Sequence, residues 1–484
     1  MSIHAHLSTE AQMQLRAQKR NSTISSIVIS VLVIVLIFLV LGIFLLPNII
    51  NESPTIVTYA ASLDEQTDIQ EKKVKNKIPK KPSAPASSMA KVIASNSSSA
   101  TAIPVPDIEV TTPSADFGDG QDFGGGWGDE GDAGSGGGFG AVPTEMQKRC
   151  SKADRLARLA ETGGTPECED AVVKALDWLQ ETQLPDGSWT TSHPVAMTGF
   201  AILAYLGHCE TPLSEKYGET VLKGITYLVN VGLKNDGKLT NKPLTSIQWV
   251  YDHGIAAYAL AESYTFCSKL NINIPDLDTV TKKAGELIMS GQTGDGGWLY
   301  KFDSGKGGDN SVGFWQIQAL KACKHTGLWS DSKFKRTARK ALDWLSTAQG
   351  KDGAIGYRGS SAKSPGLTGG GILAFQMWGE GRSKEARKAL GYLKGNMDFK
   401  WGSKNDNLYY HYYNAQALIN EGGKAWDDYN AMFRDELLKN QKEDGSWVQT
   451  GHGNHGPINT HMATCLATFM LEVYYRFLPG TSAR

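Results

Sequence analysis

The six-residue sequence Lys-Ala-Leu-Asp-Trp-Leu occurs twice in this chain, at 174–179 and again at 340–345. In both copies a Gln follows the Trp by five residues, and an Asp-Gly pair begins three residues after the Gln. The Gln and the Asp-Gly pair recur from Gln292 and Gln441, and a Trp follows the pair in three of the four copies. A pattern that returns in units of about fifty residues predicts a repeat architecture.

Helical periodicity alternates with Gly-rich turns from residue 169 onward. The polar-faced helices predicted for an outer layer are 171–183, 217–231, 278–290, 334–349, 383–395 and 429–441. The more apolar helices predicted for an inner layer are 195–207, 249–266, 311–325, 366–379, 408–420 and 459–477. A helix that is apolar on nearly all sides has to be buried on all sides. The pattern therefore predicts an all-α fold, a six-hairpin (α/α)6 toroid occupying 149–484.

An apolar segment near the N-terminus predicts one transmembrane helix within 24–47. Residues 27–46 carry no charge, and twenty helical residues span the hydrocarbon core of a bilayer. Arg16, Lys19 and Arg20 precede the segment, which predicts a cytoplasmic tail at 1–23 and a periplasmic or extracellular location for all that follows. The alternative is a cleaved signal peptide with its cleavage site at 59–62; its apolar region is normally shorter.

Residues 48–148 have the composition of a disordered linker. A Lys-rich run at 72–81 is followed by Pro and Ser, and then Asp alternates with Gly from 116 to 132. Such a sequence buries too little apolar area to offset the conformational entropy of the chain. This composition predicts that the linker is a solvated spacer. Its blocks of charge leave open the alternative that it binds an envelope protein partner.

Charge and cysteine content narrow the function classes further. The formal net charge is -1, and the absence of a basic stripe argues against a nucleic-acid partner. Six cysteines in an oxidising compartment are compatible with disulfides. Cys209, Cys267 and Cys323 fall near predicted helix ends, where neighbouring pairs could bridge.

The repeated Gln, Asp-Gly and Trp are interpreted as a structural staple rather than a site. Glycine supplies the positive φ that a helix exit needs, and the Asp can bond nearby amides. The Gln amide is expected to bond the backbone at the start of the next helix, and the Trp can stack on it. This role requires no catalytic side chain at the turn.

The same phrase, placed after each outer helix, resembles the repeat of squalene–hopene and oxidosqualene cyclases and of protein prenyltransferase β-subunits. The resemblance covers about 165–480 and implies an α/α toroid. The cyclase acid motif D-x-D-D is absent from that range, since Asp129-Glu-Gly-Asp132 lies in the linker. The Cys-Gly-Glu-Gln of thioester domains is absent as well.

One prenyltransferase element has a counterpart here, in Asp309-Asn-Ser-Val-Gly-Phe-Trp-Gln316. The resemblance places Asp309 at the position of a zinc-binding Asp and Ser311 at that of the zinc-binding Cys. His461-Met-Ala-Thr-Cys465 resembles the element that carries the zinc-binding His. Because a Ser hydroxyl is a poor zinc ligand, the sequence predicts no metal and no cofactor.

Polar and aromatic residues cluster at the predicted N-terminal ends of the inner helices, where free amides and the helix dipole favour ligands. The candidate acid–base residues are Asp252, His253, Asp309, His411 and His461. The candidate ligand-binding residues are Trp249, Tyr258, Asn310, Phe314, Trp315, Tyr410, Tyr413 and Asn459. A concave, aromatic-walled surface with converging polar groups is the default binding site.

Three functions remain open from the sequence. The first is a membrane-tethered module that binds an apolar, isoprenoid-like molecule or a protein partner at the ends of the inner helices. The second is an enzyme, either terpenoid-cyclase- or prenyltransferase-like or acting on glycans, that uses the His and Asp groups for proton transfer. A third possibility is a purely structural envelope protein whose linker makes the contacts.

Overall fold

The computed structural model describes residues 91–93, 105–107, 149–302, 305–360, 365–403, 405–449 and 458–476. The predicted tail, the predicted transmembrane segment and most of the predicted linker lie outside these ranges. None of the helices within the ranges is both long enough and apolar enough to cross a bilayer. Two short strands, β1 (Lys91–Ile93) and β2 (Val105–Asp107), pair antiparallel inside the segment predicted to be linker.

Helices account for the regular structure between residues 149 and 476. A first helix, α1, spans Lys152–Thr162. The outer helices are α2 (Pro166–Glu181), α4 (Gly218–Lys234), α6 (Leu277–Ser290), α8 (Asp331–Thr347), α10 (Lys384–Asn396) and α12 (Gly423–Asn440). The inner helices are α3 (Pro194–Gly207), α5 (Trp249–Lys269), α7 (Asn310–His325), α9 (Pro365–Met377), α11 (Leu408–Glu421) and α13 (Thr460–Arg476).

The inner helices form a closed ring. Each packs against the next in chain order, from α3 through α5, α7, α9 and α11 to α13, and α13 packs back against α3. Each outer helix packs on the inner helix that precedes it, and α2, which has none before it, packs on α13 instead. This closed, two-layered arrangement is an α/α toroid.

Burial separates the two layers as the hydrophobic pattern predicts. Every residue of α3 after Pro194 is buried, because that helix is enclosed by its neighbours and by the ring interior. Outer helix α2 instead buries one face, through Cys168, Val172, Leu176 and Leu179, which recur every three or four residues.

The repeated turn joins neighbouring units by hydrogen bonds. Gln183 Nε2 donates to the carbonyl of Gly187 at 3.0 Å and to that of Thr220, on the next outer helix, at 2.9 Å. Gln292, Gln349 and Gln441 repeat both bonds in their own units. In the last unit the acceptor is Ala171 on α2, so this bond helps to close the ring. The observed bonds are those expected of a staple.

Two features of the N-terminal side differ from the predictions. Helix α1 was not predicted, and α2 begins at Pro166, five residues before the predicted start. Pro is favoured at the first position of a helix because its missing N–H needs no partner there. The structure also contains a disulfide between Cys150 and Cys209, with Cα atoms 4.8 Å apart. The bridges suggested for Cys267 and Cys323 are not formed, and both are buried free thiols.

Candidate functional site

Aromatic side chains from non-adjacent inner helices meet on the axis of the ring. Trp315 on α7 packs edge-on against Phe200 on α3, with ring centroids 5.3 Å apart, and stacks on Tyr412 of α11 at 5.4 Å. One inner helix separates α7 from each of these partners, so the three side chains meet near the axis of the ring and not between neighbouring helices. Phe469 on α13 contacts both Phe200 and Tyr412, and we call these four side chains the axial aromatic layer.

The axial aromatic layer lies close to one face of the ring. Phe200, Trp315 and Tyr412 are the fifth to seventh residues of their helices. At 1.5 Å per residue, these three lie about 6–9 Å below the N-terminal ends of their helices, and Phe469, the tenth residue of α13, lies about 14 Å below. We call these ends and the described parts of the loops before them the mouth, and the buried axial aromatic layer forms its floor.

Asp309 organises one side of the mouth. It is the N-cap of α7, and its Oδ1 accepts hydrogen bonds from the amide of Ser311 at 3.1 Å and from the Ser311 hydroxyl at 2.6 Å. Its Oδ2 accepts from Nε of Arg358 at 3.2 Å. The Asp309 side chain is 0% exposed, whereas the Arg358 side chain is 55% exposed. A buried carboxylate thus holds the inner edge of a guanidinium that faces solvent.

Two tyrosines hold the same guanidinium between them. The Arg358 carbon Cζ lies 5.0 Å from the ring centroid of Tyr300 and 6.0 Å from that of Tyr357, within the range of cation–π attraction. The two hydroxyls are 2.9 Å apart. A hydrogen bond with Tyr300 and the contact with Asp309 raise the pKa of Arg358, while burial and the contact with Tyr357 raise the pKa of Tyr300. The cluster is charged only at its guanidinium and at Asp309.

A chain of hydrogen bonds connects this cluster to the axial aromatic layer. The hydroxyl of Tyr251 lies 2.7 Å from Ser311 Oγ, and the hydroxyl of Tyr409 donates to the Ser311 carbonyl at 2.9 Å. Trp315 Nε1 in turn donates to the Tyr409 hydroxyl at 2.9 Å. Burial raises the pKa of Tyr251 and of Tyr409, so both remain protonated. Helices α5, α7 and α11 are tied together at the mouth by this chain.

Asp252 occupies another part of the mouth, at the start of α5. Its Oδ2 accepts a hydrogen bond from Thr240 at 3.0 Å, and its Oδ1 lies 3.8 Å from Nδ1 of His193. Burial raises the pKa of Asp252 to about 7, and burial together with the charge of Lys242 lowers the pKa of His193. Asp252 can therefore exchange a proton near neutral pH.

The three other candidate acid–base residues lie between the inner and outer layers. His253 accepts from the amide of Leu239 at 3.0 Å and lies 3.2 Å from the carbonyl of Ala284 on α6. Burial lowers its pKa to about 4, as it does for His411 and His461.

His411 and His461 have similar surroundings. The nitrogens of His411 lie 2.8 Å from the hydroxyl of Tyr429 and 2.8 Å from the carbonyl of Asn405. His461 Nε2 lies 2.8 Å from the carbonyl of Met197. The structure does not bring the three histidines together at the mouth, and a catalytic role for them stays a prediction.

His253 also fills a position that recurs around the ring. The amides of Trp189, Ile355 and Trp447 donate to the hydroxyls of threonines in the first turns of the following inner helices. In the second unit the corresponding amide is that of Leu239, and its acceptor is the imidazole of His253. The shared bond indicates that His253 anchors the loop before α5.

The candidate ligand-binding residues lie at different depths below the mouth. Trp315 belongs to the axial aromatic layer. Phe314 and Tyr413 lie beside it, and the ring centroids of these two are 5.4 Å apart. Trp249 packs edge-on against Phe302 at 4.8 Å.

The remaining four differ more in exposure. Asn310 is buried and bonds Trp344 and the carbonyl of Gly356, while Asn459 is exposed and accepts from the amide of Met462. Tyr410 is half-buried over Gly366. Tyr258 lies deeper in the ring, where burial raises its pKa to about 12. Of these four, Tyr410 and Asn459 are the ones with solvent-exposed side chains.

The residues that resemble a prenyltransferase zinc site do not fit a zinc ion here. Asp309 is engaged by Ser311 and Arg358, and a guanidinium competes with a cation for that carboxylate. His461 is on α13 and is bonded to Met197. Within the described ranges, no three His, Cys, Asp or Glu side chains are arranged as metal ligands.

Sequence reasoning missed the tyrosine–arginine cluster, although a signal for it exists. Tyr300 and Tyr357 each stand two residues after the last position of the repeated turn, which is Trp298 in one unit and Ile355 in the other. The repeat therefore places both side chains at equivalent points of the mouth in adjacent units. Arg358 follows Tyr357 directly and reaches Asp309 of the neighbouring unit.

Comparisons with known proteins give structural similarity alone. No protein-family model and no curated protein matches this chain. The α-1,6-mannanase GH76A of Salegentibacter sp. HEL1_6 has a TM-score of 0.47 at 12% identity, over 64% of this chain and 98% of that one. An apo form of the type II terpene cyclase MstE from Scytonema has a TM-score of 0.43 at 12% identity, over 68% of this chain and 100% of that one. The toroid assignment rests on the helix contacts of this chain.

Proposed function

We propose that this chain is a membrane-tethered, extracytoplasmic binding module, a six-hairpin (α/α)6 toroid that takes its ligand or partner at the mouth. The observation that carries the proposal is the exposed guanidinium of Arg358, fixed by buried Asp309 between Tyr300 and Tyr357. An arginine held in this way has lost little freedom that binding would otherwise remove, and it presents paired donors to an acidic group.

The filled axis changes the class of ligand that fits best. A long isoprenoid needs an apolar chamber, and the axial aromatic layer occupies the axis about two turns below the mouth. Half-exposed tyrosines at the rim suit a ligand with flat faces and hydroxyls, such as a sugar, next to a carboxylate or phosphate. The proposed ligand is therefore polar and acidic, and a protein partner would offer a similar group.

Two observations support the tether and the compartment. The uncharged segment 27–46 with basic residues before it is long enough to span a bilayer. The Cys150–Cys209 disulfide is typical of proteins in oxidising compartments. Protease protection of the tail and digestion of the ring domain in intact cells would test this part of the proposal.

Binding can be tested on the full chain in detergent. Isothermal titration with neutral oligosaccharides, uronate-containing oligosaccharides and geranylgeraniol should show affinity for the uronates, lost in Arg358→Gln. Lys283→Gln is a matched control, since Lys283 lies on outer helix α6 and pairs with exposed Asp236, not with a residue of the Arg358 cluster. Equal affinity of wild type and Arg358→Gln for every compound that binds would refute the proposed site.

A glycan-acting enzyme is the second candidate, favoured by the position of Asp252 beside His193. A buried carboxyl with a pKa of about 7 can act as general acid at neutral pH. Hydrolysis of the same oligosaccharides, abolished by Asp252→Asn with binding retained, would establish this function. Binding without turnover in the wild type would leave the binding module as the function.

A further inference from the structure

A cleft on the outer side of the ring separates outer helices α8 and α10. Its volume is about 480 Å³, within the range of binding sites for small ligands. Leu342 and Asp343 on α8 and Phe375 on inner helix α9 are among the residues that line it. Leu342 and Phe375 are buried and Asp343 is exposed, so the cleft has an apolar floor and a carboxylate on its wall.

The repeat shows which group fills the equivalent place in the first unit. The hexapeptide that contains Asp343 on α8 also occurs on α2, where Asp177 has the position of Asp343. Asp177 accepts a hydrogen bond from the hydroxyl of Tyr217 at 2.6 Å. The ring centroids of Tyr217 and Tyr205 are 5.3 Å apart, and Tyr217 is 3% exposed. A buried phenol therefore occupies the space between α2 and α4.

The aromatic neighbour of that phenol also has a counterpart in the cleft. Tyr205 follows by seven residues the threonine that accepts from the repeated turn, Thr198. Phe375 follows Thr368, which accepts the same bond in the fourth unit, by the same seven residues. Both groups that hold Tyr217, a carboxylate and an aromatic ring, are thus present in the cleft.

The fourth unit has no tyrosine to place between these two groups. The glycine of a repeated turn lies against a lysine of the next outer helix, and Tyr217 precedes the first such lysine, Lys223, by six residues. Arg382 precedes the corresponding Lys388 by six residues, and it is exposed. The residues at this position after the second, third and last units are all buried: Leu277, Phe334 and Cys168. An exposed arginine leaves open the space that a side chain fills elsewhere.

We propose that the cleft between α8 and α10 binds a tyrosine side chain of a peptide or protein partner. The hydroxyl of the bound tyrosine donates to Asp343, as that of Tyr217 donates to Asp177, and its ring lies against Phe375. Within the described ranges Asp343 has no hydrogen-bond or ion-pair partner, so its carboxylate can accept this bond.

The rest of the cleft suits the polypeptide that carries the tyrosine. Its rim has charges of both signs, which match the polar groups of a peptide better than a ligand of one charge; they belong to Lys335, Arg339, Glu380 and Glu385. Phe375 lies near the C-terminal end of α9, whereas the mouth is formed by the N-terminal ends of the inner helices. Binding in the cleft therefore does not depend on the function proposed for the mouth.

Saturation-transfer NMR on the full chain in detergent tests the site. The probes are N-acetyltyrosine amide and N-acetylphenylalanine amide, which differ only by the hydroxyl. The wild type should bind the tyrosine amide about tenfold more tightly, because a hydrogen bond to a charged group is worth about that factor. Asp343→Ala should bind both probes with equal affinity. No binding of the tyrosine amide, or equal affinities in the wild type, would overturn the proposal.

A variant that fills the cleft gives a second test. Arg382→Tyr restores the residue that the first unit has at this position, and it should raise the melting temperature and abolish binding of the tyrosine amide. Arg387→Tyr is the matched control, since Arg387 is an exposed arginine of α10 that does not line the cleft, and it should retain binding. Undiminished binding in Arg382→Tyr, or an equal loss in Arg387→Tyr, would contradict the site.

Discussion

Trp315 stacks on Tyr412 across the axis of the ring, with centroids 5.4 Å apart and ring planes 13° apart. The two side chains come from inner helices that do not adjoin each other, so the contact braces the ring from within. It also sets the depth of the mouth, because no ligand passes this layer without displacing an aromatic ring. Stability and ligand choice therefore depend on the same residues.

Removing the indole should destabilise the whole ring. Trp315 is fully buried, and replacing such a side chain by Ala costs about 3–5 kcal/mol. We expect urea denaturation of Trp315→Ala to show a loss of this size, and Trp315→Phe to lose less because a ring remains on the axis. A loss below about 1 kcal/mol in Trp315→Ala would mean that the axis is not packed as described.

The glycine of the repeated turn should tolerate no side chain. Gly353 has a φ of 100°, and a Cβ there would meet the carbonyl of Lys388. Gly353→Ala should therefore destabilise the fold by more than about 1 kcal/mol. Gly391 on α10 is a matched control, since it is exposed with open space around it, and Gly391→Ala should stabilise by about 0.5–1 kcal/mol. Equal effects at both positions in thermal unfolding would contradict the staple.

The three interior histidines should stay neutral well below neutral pH. Burial lowers the pKa of His253, His411 and His461 to about 4, below the ordinary value of 6.5. The unfolded chain then binds more protons than the folded one between about pH 6.5 and 4, so the stability each histidine contributes is lost as pH falls through that window. Their imidazole NMR signals should not titrate above pH 5. A midpoint near 6.5 would show that they are exposed.

Asp252 should behave in the opposite way. Burial raises its pKa to about 7, so the folded state holds a proton that the unfolded state releases above about pH 4. Its contribution to stability is present at low pH and is lost as pH rises to 7. Infrared spectra at pH 6 should contain protonated carboxyl absorption that decreases in Asp252→Asn, and Glu472, whose pKa burial raises to about 8, accounts for what remains. An unchanged band would assign the proton to another carboxyl group.

Reducing the disulfide should weaken the fold without unfolding it. A bridge that closes a loop of 59 residues is worth about 4 kcal/mol in the chain-entropy account. Denaturation of Cys150→Ser/Cys209→Ser should show a loss of that order, with the far-ultraviolet dichroism of the native protein unchanged. No loss would mean that the bridge does not form in solution.

The sequence predicted the features that repeat and missed those that occur once. Gln183 and its counterparts, the Asp-Gly turns and the alternation of outer and inner helices follow from one pattern seen several times. Tyr300 and Tyr357 also follow the repeat, but they mark only two units, and a tyrosine in a loop has many possible neighbours. Partners distant in sequence, such as Arg358 with Asp309, depend on which units adjoin.

The N-terminal side shows the same limit most clearly. A charged residue such as Arg149 is normally exposed, and only its pairing with Glu262, more than one hundred residues away, makes burial favourable. Helix α1 is short, and Leu159 is its one buried apolar residue, so little apolar sequence marks it as part of the core. The partner of Cys150 depends on where α3 ends in space.

Native mass spectrometry of the full chain, released from detergent without denaturation, tests the central claim most directly. The account predicts that the wild type, purified from the cells that make it, carries an added mass that an acidic ligand explains. Arg358→Gln should lack this mass, while Lys283→Gln retains it. A bare chain mass in all three proteins, or an added mass that Arg358→Gln retains in full, would contradict the assignment of the mouth as the binding site.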